Sequence, residues 1–202
     1  MAESILNVWS SGINYADFRD LSKQHVKKGT TSGLDQTESL VELTKLNEAR
    51  MRRLDKTIRL EDSTRRSLAQ LGTPIGFLAL TELWCADSAQ LLPMFNKFAE
   101  ITPRVEFRSV FRDEHPELMD SFLTNGGRAI PKIIVFDLAT GTVLFTMGPR
   151  PEILQRIVTA NKTQEEPIPT DEFNIYLQKW YFEDKTRALQ VEFVNKLQAV
   201  MA

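Results

Sequence analysis

The sequence predicts an α/β fold of three layers, in which helices cover a mixed central sheet, with a helical extension before it and a C-terminal helix after it. Three observations carry this. Residues 75–84 form a near-continuous apolar run, as a central strand covered on both faces requires. The segments after it alternate strand, helix, strand and helix, and then two strands flank a Thr140-Gly141 turn, so parallel and antiparallel pairing must mix. On either side of this region the apolar residues recur at helical spacing instead.

Residues 14–28 place Tyr15, Phe18, Leu21 and Val26 at roughly helical spacing, and Gly29 stops that helix. From Thr37, the series Leu40, Leu43, Leu46, Ala49 or Met51, Leu54 and Ile58 marks a second, longer helix, with Glu38, Glu42 and Lys45 between its apolar positions. A short third helix fits residues 63–71 and ends at Gly72-Thr73-Pro74. After the strand at 75–84, helix is expected over 89–101, strand over 105–111, helix over 116–123, and strands over 132–136 and 143–147. Another helix should start at Pro151, whose fixed φ suits a first helical position. The polar stretch 161–170, with Pro167 and Pro169, reads as a linker. Residues 171–201 form a final helical segment whose stripe holds Phe173, Tyr176, Leu177, Trp180, Tyr181, Leu189, Phe193 and Leu197. The expected division is an N-terminal extension at 1–73, a central domain at 74–160, and a linker with terminal helix at 161–202. The terminal helix should pack back on the domain or pair with a second chain as a homodimer, and a break near Asp184-Lys185-Thr186 is the alternative to one long rod.

With 202 residues, 42% of them hydrophobic, the chain can bury a core. Its 25 Lys and Arg balance 27 Asp and Glu, which gives no electrostatic footprint for nucleic acid or an anionic membrane. The apolar runs are too short to span a bilayer, and the polar residues among the first thirty leave no signal-peptide core, so the cytoplasm is the expected compartment. One cysteine and two scattered histidines offer neither an intrachain disulfide nor a Cys/His metal site.

At the end of the apolar strand stands Trp84-Cys85-Ala86-Asp87-Ser88, the next helix contains Pro93, and Ile130-Pro131 precedes a later strand that turns into a hairpin. In these features the sequence resembles the thioredoxin-like superfamily over residues 74–160. It looks closest to bacterial members with an acidic residue inside the Cys-x-x-Cys motif. The resemblance implies a cis proline at 131 lying against Cys85, a substrate groove lined by Trp84, Ile130 and Pro131, and no dissociable cofactor. The motif departs from the dithiol pattern twice. Ser88 stands where the resolving cysteine would be, and Ala79 stands where dithiol members often carry a buried acid. It also lacks the glycine and phenylalanine of cluster-binding monothiol glutaredoxins.

A cysteine at a helix N-terminus meets free amide donors and the positive end of the dipole. The expectation is therefore an accessible Cys85 with a lowered pKa, its thiolate accepting from the Ser88 hydroxyl three residues on. A thiol of pKa about 8.5 is only about 3% ionised at pH 7, so a modest shift decides reactivity. The contrary reading makes Cys85 a small buried hydrophobe. Asp87 is expected to favour the helix from its first turn, Glu82 to be a solvated charge at the strand end, and Arg128 a loop arginine within reach of a substrate carboxylate or the thiolate. His115 should lie where the helix at 116–123 begins, and Gly126-Gly127 should make a turn.

Three functions fit. One is a monothiol thiol-disulfide oxidoreductase forming mixed disulfides through Cys85 with protein thiols or a low-molecular-weight thiol. Another is a redox-inactive binding or assembly module on the same fold. The third is a dithiol oxidoreductase in which serine replaces cysteine at 88 and traps complexes.

Overall fold

The computed structural model describes residues 5–201. A five-stranded sheet runs through the molecule in the order β1-β3-β2-β4-β5. The strands are β1 (Ile13–Asn14), β2 (Ile75–Thr81), β3 (Val105–Phe111), β4 (Lys132–Asp137) and β5 (Val143–Met147). β2 and β3 are parallel; β4 is antiparallel to β2 and to β5, and β1 to β3. The mixed α/β fold expected from the element order is therefore present.

Side chains on β2 and β4 divide between two faces. Phe77, Ala79, Ile133 and Val135 enter the larger core, while Leu78, Leu80, Ile134 and Phe136 enter the smaller one. Both faces are covered, which is why β2 reads as an unbroken apolar run rather than an alternating one. Gly76 is the exception within β2: a Cβ there would lie 2.5 Å from the Phe136 ring.

The smaller core is closed by α1 (Ile5–Ser11) and α6 (Pro116–Asp120). The helix α1 was not expected from the sequence. Its Trp9 meets Phe136 edge-on at 5.2 Å between ring centroids and carries the Arg108 guanidinium 4.8 Å from its own ring. The larger core is closed by α2 (Tyr15–Lys28), α3 (Glu38–Thr57), α4 (Asp62–Ala69), α5 (Ser88–Ala99), α7 (Glu152–Thr163), α8 (Thr170–Asp184) and α9 (Arg187–Met201). Asn14 caps α2 by accepting from the Asp17 amide at 2.9 Å, and Gly29 ends that helix in the left-handed region. Buried Arg19 on α2 pairs with Asp55 and, at 3.1 Å, with Glu48, both on α3.

Several expected boundaries shift. The strand at 75–84 ends at Thr81, because residues 82–87 turn at the C-terminal end of β2 and lead into α5. The helix at 116–123 stops at Asp120, and Pro151 is the N-cap of α7 rather than its first residue. The segment 171–201 is two helices. Lys185 and Thr186 both have φ in the left-handed region, and the Asp184 carboxylate then accepts from the Ala188 amide at 3.1 Å as α9 begins. With α9 folded back, Phe193 lies fully buried, 4.5 Å from the Phe98 ring and 5.7 Å from Phe77. Gln190 fastens the same helix: its side chain donates to the Arg59 carbonyl at 3.1 Å and accepts from the Glu61 amide at 2.8 Å.

Candidate functional site

The turn between β2 and α5 builds the centre of the site. Within it the Cys85 amide donates to the Glu82 carbonyl at 3.2 Å, and the Cys85 carbonyl accepts from Ala89 at 3.3 Å. The loop before β4 lies across the turn. Its Ile130–Pro131 peptide is cis, and the Ile130 carbonyl accepts from the Cys85 thiol at 3.3 Å.

This geometry overturns the expectation of an accessible thiol with a lowered pKa. Cys85 is 7% exposed, and α5 begins only at Ser88, so the sulfur lies before the helix rather than in its first turn. Burial pushes its pKa up to about 11, and the neighbouring charge of Asp87 pushes the same way. Hydrogen bonding from Ser88 and the Asp87 amide opposes the rise without reversing it. Ser88 is itself buried, and its hydroxyl accepts from Thr81 at 2.7 Å.

Asp87 is also a correction. Instead of an acid favouring the helix from its first turn, it precedes α5 without a side-chain cap bond and is a buried carboxylate 2.6 Å from Arg150, accepting from the Tyr181 hydroxyl at 2.9 Å. Burial raises its pKa, with Arg150 the largest opposing influence. Those two contacts bind the Cys85 turn to the loop after β5 and to α8. Glu82 likewise departs from the solvated charge expected of it. It is fully buried, accepting from the Ser32 hydroxyl and, at 3.2 Å, from the Asp113 amide. Its pKa is raised by burial. It therefore organises the backbone behind the site.

Around Cys85 lies a groove of about 750 Å³, walled by α3, the Cys85 turn, residues 128–130, Pro149 and Arg150, α7 and α8. Of the residues picked out in the sequence, Trp84, Cys85, Asp87, Arg128 and Ile130 line it. Ser88 and Pro131 do not; both are buried beneath. Trp84 is half-buried, with the Arg112 guanidinium 5.2 Å from its ring. Arg128 forms a two-pronged pair with Asp120, both contacts at 2.7 Å. His115 is the N-cap residue of α6, and Thr124 and Gly127 close the turn at Gly126-Gly127 through reciprocal backbone bonds.

The sequence reading missed the cations. Besides Arg128, the groove is lined by Arg50, Arg112, Arg150 and Lys162, with Asp87 as its one lining carboxylate. They come from α3, the end of β3, the loop after β5 and α7, so no local motif marks them.

A family profile described as thioredoxin matches residues 33–165. Among solved structures, a protein of unknown function from Pseudomonas aeruginosa is similar with a TM-score of 0.60 and 15% identity, over 94% of this chain and 92% of that one. An HIV epitope-scaffold is similar with a TM-score of 0.52 and 17% identity, over 94% and 98%. At these identities the likeness is one of fold. No curated protein matches the chain.

Proposed function

The chain belongs to the thioredoxin family, and from that premise we propose that it is a binding module in which Cys85 rests as a protected thiol rather than as a nucleophile. The observation that carries this reading is the thiol itself, enclosed and donating its proton to the Ile130 carbonyl at 3.3 Å. With a pKa near 11, about one thiol in ten thousand is ionised at pH 7, whereas exchange needs the thiolate. The chain's single cysteine leaves no intrachain partner to resolve a mixed disulfide, so exchange would need an outside thiol. What the fold retains is the groove beside Trp84 and Ile130, into which a ligand can settle without chemistry at sulfur.

A second reading, a monothiol oxidoreductase using Cys85, is favoured by one observation: Cys85 lines that same groove despite its small exposure. Incubating the full chain with glutathione disulfide at pH 7.5 and weighing it separates the two. The module reading expects unmodified protein over hours. An adduct on Cys85 forming within minutes, lost in Cys85→Ala, replaces it with the monothiol reading.

A further inference from the structure

The cations of the groove are unequally matched. Arg150 pairs with Asp87, Arg112 with Asp113 at 2.8 Å, and Arg128 with Asp120. Arg50 has no carboxylate within ion-pair distance among the described residues. It is half-buried on α3 and donates one hydrogen bond, to the Asn47 side chain at 2.9 Å. Burial and nearby Arg53 lower its pKa while Asp87, beyond ion-pair distance, opposes them, so the guanidinium keeps donors that no carboxylate contacts. Lys162, on α7, likewise has no ion-pair partner among the described residues. Apolar side chains line the same groove: Leu43 is half-buried, Leu46 is 48% exposed and Ile175 is 72% exposed. A small anion would use the cations and leave that apolar rim bare. An extended segment carrying acidic and apolar residues in alternation satisfies both, since its successive side chains point to opposite sides.

We propose that the Cys85 groove docks an acidic, apolar-interleaved extended segment of a partner protein, with Arg50 and Lys162 receiving its carboxylates. This rests on the binding-module reading and names its partner's chemistry. The guanidinium supplies several donors in a planar fork suited to a carboxylate, and a half-buried setting strengthens that contact relative to open solvent.

The test is fluorescence anisotropy of the full chain, in reducing buffer, with labelled peptides in which apolar residues alternate with glutamate, glutamine or lysine. The glutamate peptide is expected to bind at least tenfold more tightly than the glutamine peptide, and to weaken as salt is raised. Arg50→Gln and, separately, Lys162→Gln should each cost the glutamate peptide at least threefold while leaving the glutamine peptide unmoved; Lys162 is exposed, so its substitution does not threaten folding. Equal affinities for the three peptides, no binding by any of them, or indifference to both substitutions would overturn the proposal. Displacement of the glutamate peptide by millimolar glutathione, with the same dependence on Arg50, would also overturn it, in favour of a small carboxylate-bearing thiol. Reducing buffer keeps the readout non-covalent, so an adduct on Cys85 in the mass experiment sinks the protected-thiol reading without deciding this one.

Discussion

Asp87 is acceptor to Arg150 and Tyr181 and a repulsive neighbour to the Cys85 thiolate, all from a position with almost no contact with solvent. Replacing it with asparagine keeps the shape and removes the charge, which separates those roles. Asp87→Asn takes the counter-charge from the largely covered Arg150 guanidinium but also relieves the burial of a carboxylate, and because burial outweighs Arg150 at Asp87 the net loss should be small, under about 1 kcal/mol. It should also lower the Cys85 pKa, since the second-largest influence raising it is gone. Urea unfolding checks the first, and iodoacetamide labelling against pH checks the second; an unchanged labelling profile would refute the electrostatic account of the thiol. The thiol itself makes an alkaline prediction. Its folded pKa lies above the ordinary 9.0, so its contribution to stability is complete below pH 9 and is lost as pH rises toward 11. Over that window the parent chain should lose more stability than Cys85→Ala does, and parallel melting curves for the two would contradict the raised pKa.

At the scale of elements, α9 is held by Phe193 among aromatic rings and by Gln190 to the backbone on either side of Leu60. Gln190→Leu keeps the bulk and removes both hydrogen bonds, leaving the Glu61 amide and the Arg59 carbonyl without those partners. The expected loss is about 1–3 kcal/mol in urea unfolding. A chain ended after Pro169 is a harsher test. It uncovers Phe77, Phe95 and Phe98 and removes the Tyr181 donor from Asp87. That form should melt at least 10 °C lower, or fail to fold, and should self-associate in sedimentation. Unchanged melting would mean that α8 and α9 do not close the core.

At the scale of the whole molecule, four carboxylates among the described residues have raised pKa values chiefly through burial: Glu82, Asp87, Asp184 and Glu192. Each binds its proton more tightly folded than unfolded. Their contribution is therefore complete below the ordinary carboxylate range and declines as pH rises through each raised value. The urea midpoint should accordingly be higher at pH 5.5 than at pH 8. A midpoint that falls steadily from pH 8 to 5.5 would show that other titrations dominate. Among the described residues no helix is long and apolar enough to cross a membrane.

The sequence by itself determined the fold, since hydrophobic periodicity is local. The apolar run at β2, the helical stripes of α2 to α5 and the hairpin turn at Thr140-Gly141 each declare their element within a few residues. It also marked Trp84, Cys85, Ile130 and Pro131 as one neighbourhood, through a motif whose two halves lie far apart in the chain. The break between α8 and α9 was visible only as a lapse in a stripe, because no glycine stands at Lys185 or Thr186 to announce the left-handed turn. The electrostatics of the site were not legible. Whether a helix start activates a thiol depends on how much protein covers it and which charges come near, and those arrive from distant segments. Tyr181, Arg150 and Arg50 lie 94, 63 and 37 positions from Asp87, and only folding brings the first two into contact with it and sets the third on the same groove wall. Burial and long-range charge are properties of the closed tertiary structure, and they raise the pKa of a thiol whose motif reads as reactive.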